Sequence, residues 1–297
     1  MINLDKSSEE KISVIIVSHN SAGIIESCLE KLVHPQIDIW VADNASTDAT
    51  CEIITKKFPD TKLLKLEKNI GYGPATNAAL KQTKTKYALL INPDIAIAAD
   101  NIVKLAKQHS EHTNLAISSV LIKTYVDGKL VTDYVTAIDE TKQTNFVDRV
   151  LGAFMLFDMD LLRNKIGFFD ENIFMYYEDD ELCLRTRRLG YKMAIFTNIE
   201  AIHLGGKSSP SNIYYKKIKA WHITWAKLYF RKLDRGFASC LKLNISFILR
   251  FSFKSLIALL TLKTEKLELE KTRLCAAVCY LFGQKAFDKH GKAKMIS

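Results

Sequence analysis

The sequence predicts an α/β protein built on a parallel, doubly wound sheet. Short β-branched runs alternate four times with segments of helical apolar spacing between residues 12 and 110. Polar residues collect just after those runs: Ser18, His19 and Asn20, then Asp43 and Asn44, then Asn69, then Asn92 and Asp94. In sheets of this kind ligands lie beyond the carboxyl ends of the strands, so the polar ends predict a binding site.

The first run, ISVIIVS (12–18), has no polar alternation and suits a strand buried on both faces. Residues 22–33 carry Ile24, Ile25, Cys28, Leu29 and Leu32 at helical spacing. IDIWVAD (37–43) is the second strand, and ATCEIITKKF a helix that Asp48 can cap. TKLLKLE is the third strand, followed by a helix in GPATNAALKQT that opens on Gly-Pro. KYALLIN is the fourth strand and ADNIVKLAKQH the next helix. Beyond residue 120 the pattern is irregular. GAFMLFDMDLL (152–162) reads as a strand entering a helix, and YKMAIF as another strand. EDDELCLRTRRLG begins with acids and ends with arginines, which matches a helix dipole.

The 297 residues, 48% hydrophobic, suffice for one large or two modest domains. The six cysteines form no CxxC pair and read as reduced cytosolic thiols in the core. Cys275 and Cys279 share a helix face; half a metal site and simple packing both fit, and packing is preferred. The polar, acidic start MINLDKSSEEK does not resemble a signal peptide. The most apolar stretch, LNISFILRFSFKSLIALLTL, is broken by Arg250 and Lys254, so no membrane span is expected. Residues 1–206 are net −5 and residues 207–297 net +14. Basicity therefore belongs to the C-terminal third, which calls for a negative surface such as anionic lipid or a phosphorylated partner. Nucleic acid is not the expected partner, because no nucleic-acid motif is present and the larger part of the chain is acidic.

Three segments could carry chemistry. Glu178-Asp179-Asp180-Glu181 follows the apolar FMYY, so one of its carboxylates can lie against an apolar wall and act as a base. The alternative is a solvated helix start. His203 is followed by Gly205, Gly206, Lys207, Ser208 and Ser209, a mixture that suits phosphate oxygens and a divalent metal; the alternative is a loop with a solvent-facing His. In LINPDIA, Asp94 stands where a ligand would lie, although Asn-Pro-Asp also makes a turn by itself. GYGPAT is not a dinucleotide fingerprint: Thr76 replaces the third glycine and the segment follows the third strand, which excludes hydride transfer. Its glycines still permit close approach of a ligand.

SVIIVSHN, VADNASTDAT, NIGYGPATNAAL, LLINPD, GAFMLF, GFFDENIFMYYEDDELCLRTRRLGY and HLGGKSS occur in that order between residues 12 and 209. The ordered set resembles the family 2 glycosyltransferases of GT-A fold, and within them the rhamnosyltransferase-like branch that builds bacterial surface polysaccharides. The resemblance implies a GT-A catalytic domain over 1–210 and a basic, aromatic-rich helical region over 211–297. It implies that Ser18, His19, Asn20, Asp43, Asn69, Gly71, Asn77 and Asn92 line the nucleotide site. Asp94 and His203 would hold a divalent metal, Mg²⁺ or Mn²⁺. Gly152, Ala153 and Phe154 would lie near donor sugar and acceptor, with Asp179 as catalytic base and Glu178 supporting it. The implied reaction is metal-dependent, inverting transfer of one sugar. The implied donor is dTDP-rhamnose, with UDP-sugars behind it. The acceptor is a glycan, commonly linked to polyprenyl diphosphate. His19 departs from the family, where Tyr is frequent, and no QxxRW motif of processive relatives is present. The competing function is an inactive sugar-nucleotide-binding scaffold. For the basic tail, Trp221 and Trp225 among lysines suit an anionic membrane headgroup region on the cytoplasmic leaflet. A helical cap on the core or a homodimer contact are the alternatives.

Overall fold

The computed structural model describes residues 11–126, 129–132, 138–204 and 212–287. The expected alternation is present in the first half: β1 (Ile12–Ser18), α1 (Ile25–Glu30), β2 (Ile37–Asp43), α2 (Thr50–Lys57), β3 (Lys62–Lys65), α3 (Tyr72–Leu80), β4 (Tyr87–Ile91), β5 (Ile95–Ala96) and α4 (Ala99–Ser110). Strand β1 is buried throughout because β2 and β4 flank it, both parallel to it. Its side chains alternate between two cores: Val14 and Ile16 pack with α1, α2 and α4, Ile15 and Val17 with α3. Asp48 does not cap α2 as expected, because the cap position is Ala49 and has no side-chain bond; it stands one residue earlier, taking the Thr50 N–H at 3.0 Å and the Ala22 N–H at 3.0 Å, which ties the entries of α1 and α2 together.

The second half contains β6 (Leu115–Val126), β7 (Lys129–Thr132), β8 (Thr144–Phe146), β9 (Phe154–Asp158), α5 (Met159–Leu161) with a π-helical turn at Leu162–Ile166, α6 (Glu178–Arg188), β10 (Lys192–His203), α7 (Ile213–Leu260) and α8 (Thr264–Leu281). The described strands form one sheet in the order β3-β2-β1-β4-β9-β6-β10-β5, with β7 beside β6 and β8 beside β10. The sheet is mixed: β1 to β4 run parallel, as do β6 and β10, but β9 lies antiparallel to both β4 and β6, and β5, β7 and β8 also pair antiparallel, so the expected strict parallel winding stops at β9. This reversal shapes the site. Because β9 runs backwards, its first residues lie at the carboxyl end of β4, with Phe154 paired to Ile91.

Helix α7 breaks at Gly236, whose φ of 80° is open to glycine but strained for other residues. The two halves fold back on each other: Lys227 sits over the Phe247 ring and the Cys240 thiol meets the Leu228 carbonyl. Helix α8 lies beside the first half through the Lys216–Glu265 and Lys217–Glu268 ion pairs. Trp221 and Trp225 are buried in this bundle, and their indole N–H groups donate to the carbonyls of Ala286 and Gln284. The expectation that these two tryptophans face lipid headgroups is therefore corrected: each indole found a backbone acceptor in the core. Cys279 packs on Trp221, with Cys275 at the edge of the same cluster. The bundle grips the sheet domain at Tyr229, which donates to Asp170, and at Arg188, which donates to the carbonyls of Leu233 and Asp234. By length and composition alone α7 is long and apolar enough to cross a membrane, although it is broken at Gly236.

Candidate active site

The carboxyl ends of the parallel strands are laced together by side chains. Ser18 donates to Asp43 Oδ1 at 2.9 Å, and Ser46 meets the same carboxylate through its hydroxyl at 2.5 Å and its N–H at 3.0 Å. Asp43 is nearly fully buried by these partners, so with Ser18 it forms a floor rather than a freely exposed lining. Asn44 extends the lacing to the next loop. Its amide nitrogen reaches Asn69 Oδ1 at 3.0 Å and the Gly71 carbonyl at 3.1 Å, and its oxygen takes the Ile70 N–H at 2.9 Å. His19 Nδ1 lies 2.9 Å from the Asn44 carbonyl. Asn20, left-handed at φ 52°, takes the Thr47 N–H at 2.8 Å, a local bond that suits Asn to that conformation. Ser18, His19, Asn20, Asp43, Asn69 and Gly71 are thus brought together.

Two of the expected nucleotide contacts have other employment. Asn77 is buried, and its side chain clamps Phe169 by donating to the carbonyl at 2.9 Å and accepting the N–H at 3.0 Å. It joins α3 to the 168–171 segment and is removed from the pocket lining. Gly71 does permit a close approach, but of the chain itself. A Cβ there would stand 2.3 Å from the Phe174 carbonyl oxygen, at φ +98°. That oxygen takes the Tyr72 N–H at 2.8 Å.

Asp94 and His203 are far apart in sequence and meet because β5 pairs antiparallel with β10, His203 opposite Ile95. His203 Nε2 lies 3.3 Å from Asp94 Oδ2. Asp94 is only 1% exposed, and its Oδ1 is buried with no hydrogen-bond partner. An enclosed carboxylate oxygen without a donor, beside an imidazole, is a donor set that fits a divalent cation. Among the described residues no third His, Cys, Asp or Glu joins them. A divalent cation held by so few protein ligands would complete its shell with water and substrate phosphates. Gly205–Ser209, expected to help with phosphate, lie outside the described residues.

The four acids at the start of α6 are sorted by the fold into different states. Two successive left-handed residues, Tyr176 (φ 66°) and Tyr177 (φ 67°), turn the chain into the helix. Asp180 is paired with the Arg149 guanidinium, yet burial and the neighbouring Asp179 charge push its carboxyl up to about 6. Glu181 forms a bidentate pair with Arg185 at 2.9 and 2.7 Å. Glu178 is buried with Oε2 unpartnered; burial first, and the Asp179 charge second, push its carboxyl up to about 8. Asp179 alone of the four is half-buried and, among the described residues, pairs with no cation, its Oδ2 taking the Gly152 N–H at 2.9 Å. A Cβ on Gly152 would press on Asp179 at 3.0 Å, so the glycine admits this contact.

Tyr72 links the two halves of the site. Its hydroxyl donates to Asn92 Oδ1 at 2.7 Å and lies 3.1 Å from the Gly152 carbonyl. Burial, then the charges of Glu178, Asp179 and Asp94, raise its phenol well above the ordinary value. The main chain of Ala153 accepts the Asn92 N–H at 3.0 Å. Phe154, by contrast, is fully buried in the core, so only Gly152 and Ala153 of the expected trio face this region. Sequence reading missed Tyr72, Ser46 and Arg149, and marked Asn44 only as a polar strand end. Ser46, three residues after Asp43, was the one with a local signal, an Asx-type turn. The others act only through long-range contacts.

Residues 13–167 match the Glycosyl transferase family 2 profile. The chain belongs to glycosyl transferase family 2. It is therefore a glycosyltransferase, and the sheet with its helical extension is the GT-A arrangement. Among curated family members it is 27% identical over 265 residues to the rhamnosyltransferase WbbL of Escherichia coli, covering 75% of this chain and 93% of that one. It is 21% identical over 231 residues to the N-acetylglucosaminyl-diphospho-decaprenol L-rhamnosyltransferase of Mycobacterium tuberculosis, covering 65% and 75%. Two solved structures share the fold. The mannosyltransferase PcManGT from Pyrobaculum calidifontis, solved with GDP-Man and Mn²⁺, has a TM-score of 0.57 at 15% identity, covering 93% of this chain and 88% of that one. S. aureus TarS 1-349 with UDP-GlcNAc has a TM-score of 0.56 at 18% identity, covering 96% of both.

Proposed function

We propose that this glycosyltransferase moves one sugar, with inversion, from a nucleotide-diphosphate donor to a saccharide acceptor, with Asp179 as the base. The observation that carries the reading is the sorting of the four acids. Asp180 and Glu181 are bound to arginines, and Glu178 is enclosed and held neutral near pH 7. Asp179 remains as the half-buried carboxylate, oriented by the Gly152 N–H. It takes the proton of the acceptor hydroxyl as the new oxygen–carbon bond forms at the anomeric carbon and the bond to the diphosphate breaks. One base suffices, so no covalent sugar–enzyme species is required. The laced ends of β1 and β2 hold the nucleoside. A divalent metal on Asp94 and His203 would offset the charge that builds on the departing diphosphate. The relatives named as rhamnosyltransferases favour dTDP-rhamnose as donor. The mycobacterial relative's name supports a polyprenyl-diphosphate-linked acceptor, and on this reading the work is done at the cytoplasmic face of a membrane in surface-polysaccharide synthesis.

The test is thermal stability with dTDP, UDP and GDP, each with and without Mg²⁺ or Mn²⁺. A ligand bound only by the native state at 100-fold its Kd stabilises by about 2.7 kcal/mol. A metal-dependent shift with dTDP, lost in Asp94→Ala, is expected. No shift with any nucleotide would sink the donor site, and a shift without sugar transfer would favour the inactive binder.

A further inference from the structure

The second half of α7, from Phe237 to Leu260, is covered on one side only. Cys240, Phe247, Phe251 and Ala258 face the bundle and are buried. The opposite side carries Ile245 (48% exposed), Leu249 (66%), Phe253 (64%), Leu256 (53%) and Leu260 (74%), and Leu262 at the turn reaches 85%. At 100° per residue the first five fall within an arc of about 80°, so they form one stripe down the helix. The stripe is about 23 Å long at 1.5 Å per residue. Isolated exposed leucines are ordinary, but a continuous stripe of this length marks a contact surface.

The charges beside it identify what that contact is. Between residues 236 and 264 there is no Asp or Glu, whereas Lys242, Arg250, Lys254 and Lys263 all occur there. A second copy of the chain, packed by two-fold symmetry, would set these cations against their own copies with no acid in the segment to pair them. A spanning helix would carry Arg250 and Lys254 mid-membrane and would have to leave the bundle that holds its other face. An anionic bilayer surface satisfies both features, since acyl chains receive the apolar stripe and phosphates receive the exposed Lys242 at its start, Arg250 beside it and Lys263 past its end. We propose that the second half of α7 lies in the plane of an anionic membrane as an interfacial helix. The membrane-facing residues are then these aliphatics and Phe253, not Trp221 and Trp225, which are in the core. The first half of α7 holds the catalytic helix through Tyr177 on Phe230 (5.6 Å) and Lys219 over Tyr176 (5.8 Å), so docking would seat α6 at a set height above the lipid.

The experiment is sedimentation of the full chain with vesicles of phosphatidylcholine alone or with 30% phosphatidylglycerol, read without any donor and so independent of the transfer reading. Binding to the anionic vesicles is expected, weakened by salt. At about 1 kcal/mol per cation near such a surface, Lys242→Gln, Arg250→Gln and Lys263→Gln together should weaken it on the order of 100-fold. Phe253→Glu with Leu256→Glu should abolish it while circular dichroism and nucleotide-induced stabilisation stay unchanged, because these side chains already face water in the isolated fold. Failure of the wild-type chain to bind, or undiminished binding by the Glu variant, overturns the proposal. A dimer in light scattering that the Glu variant disperses, with no vesicle binding, would assign the stripe to a second copy instead.

Discussion

Glu178→Gln should make this protein more stable at neutral pH and leave it unchanged in acid. Glu178 sits at the N-terminus of α6, where the helix dipole favours an anion. Burial opposes that and wins: Oε2 has no partner, and Asp179 and Asp180 add like charge. The carboxyl ionises near the ordinary 4.5 when unfolded but is pushed up to about 8 when folded. Between those values the native state holds a proton that the unfolded state has released, so stability falls as pH rises from about 4.5 to 8. Each pH unit in that window is worth about 1.4 kcal/mol, which makes the deficit on the order of 3 kcal/mol at pH 7. Gln keeps the shape and has no proton to lose. Urea unfolding of both proteins at pH 5, 6, 7 and 8 should therefore show curves that nearly coincide at pH 5 and diverge steadily above it. A difference that does not change with pH would refute the argument, because it would mean that Glu178 ionises normally in the folded protein.

Asp179→Asn should lower kcat by roughly 10²–10⁴ while nucleotide-induced stabilisation persists. Asp180→Asn, which strands Arg149, should instead weaken the fold; steady-state kinetics beside melting curves separate the two. Gly71→Ala should cost about 3 kcal/mol or more, because φ +98° is strained for Ala and its Cβ would stand 2.3 Å from the Phe174 oxygen; urea denaturation reads this directly. His222 is stacked on Phe174 with both ring nitrogens buried and unpartnered, and burial pulls it down to about 3. His222→Leu should stabilise by about 1 kcal/mol, since unpaired polar atoms outweigh the lost stacking. The variant should also lose the share of the wild type's acid sensitivity that His222 contributes: the unfolded His gains a proton below 6.5, and the folded one does not until about 3.

The sequence by itself determined the alternation, the parallel half of the sheet and the strand ends where polar groups gather. These are local matters: an unbroken apolar run such as ISVIIVS can only be a strand covered on both faces, and a run's last residue is its end wherever the strand lies. It also marked Asp94, Asp179 and His203, through residue type and order. What it could not determine was which partner each group would meet. Asn77 on α3 and Asn44 after β2 carry the same amide, but one clamps Phe169 and the other laces β2 to the Asn69–Gly71 loop. Four adjacent acids look alike until Arg149, Arg185 and the Gly152 N–H select among them. Nothing in the chain order announces that β9 runs backwards and so carries Gly152 to the end of β4. Likewise, both halves of α7 read as apolar and basic, and only the fold-back at Gly236 decided that the tryptophans go inside and Phe253 outside. Pairing and burial depend on contacts between residues distant in sequence, and those are decided by how the whole chain packs, not by local pattern.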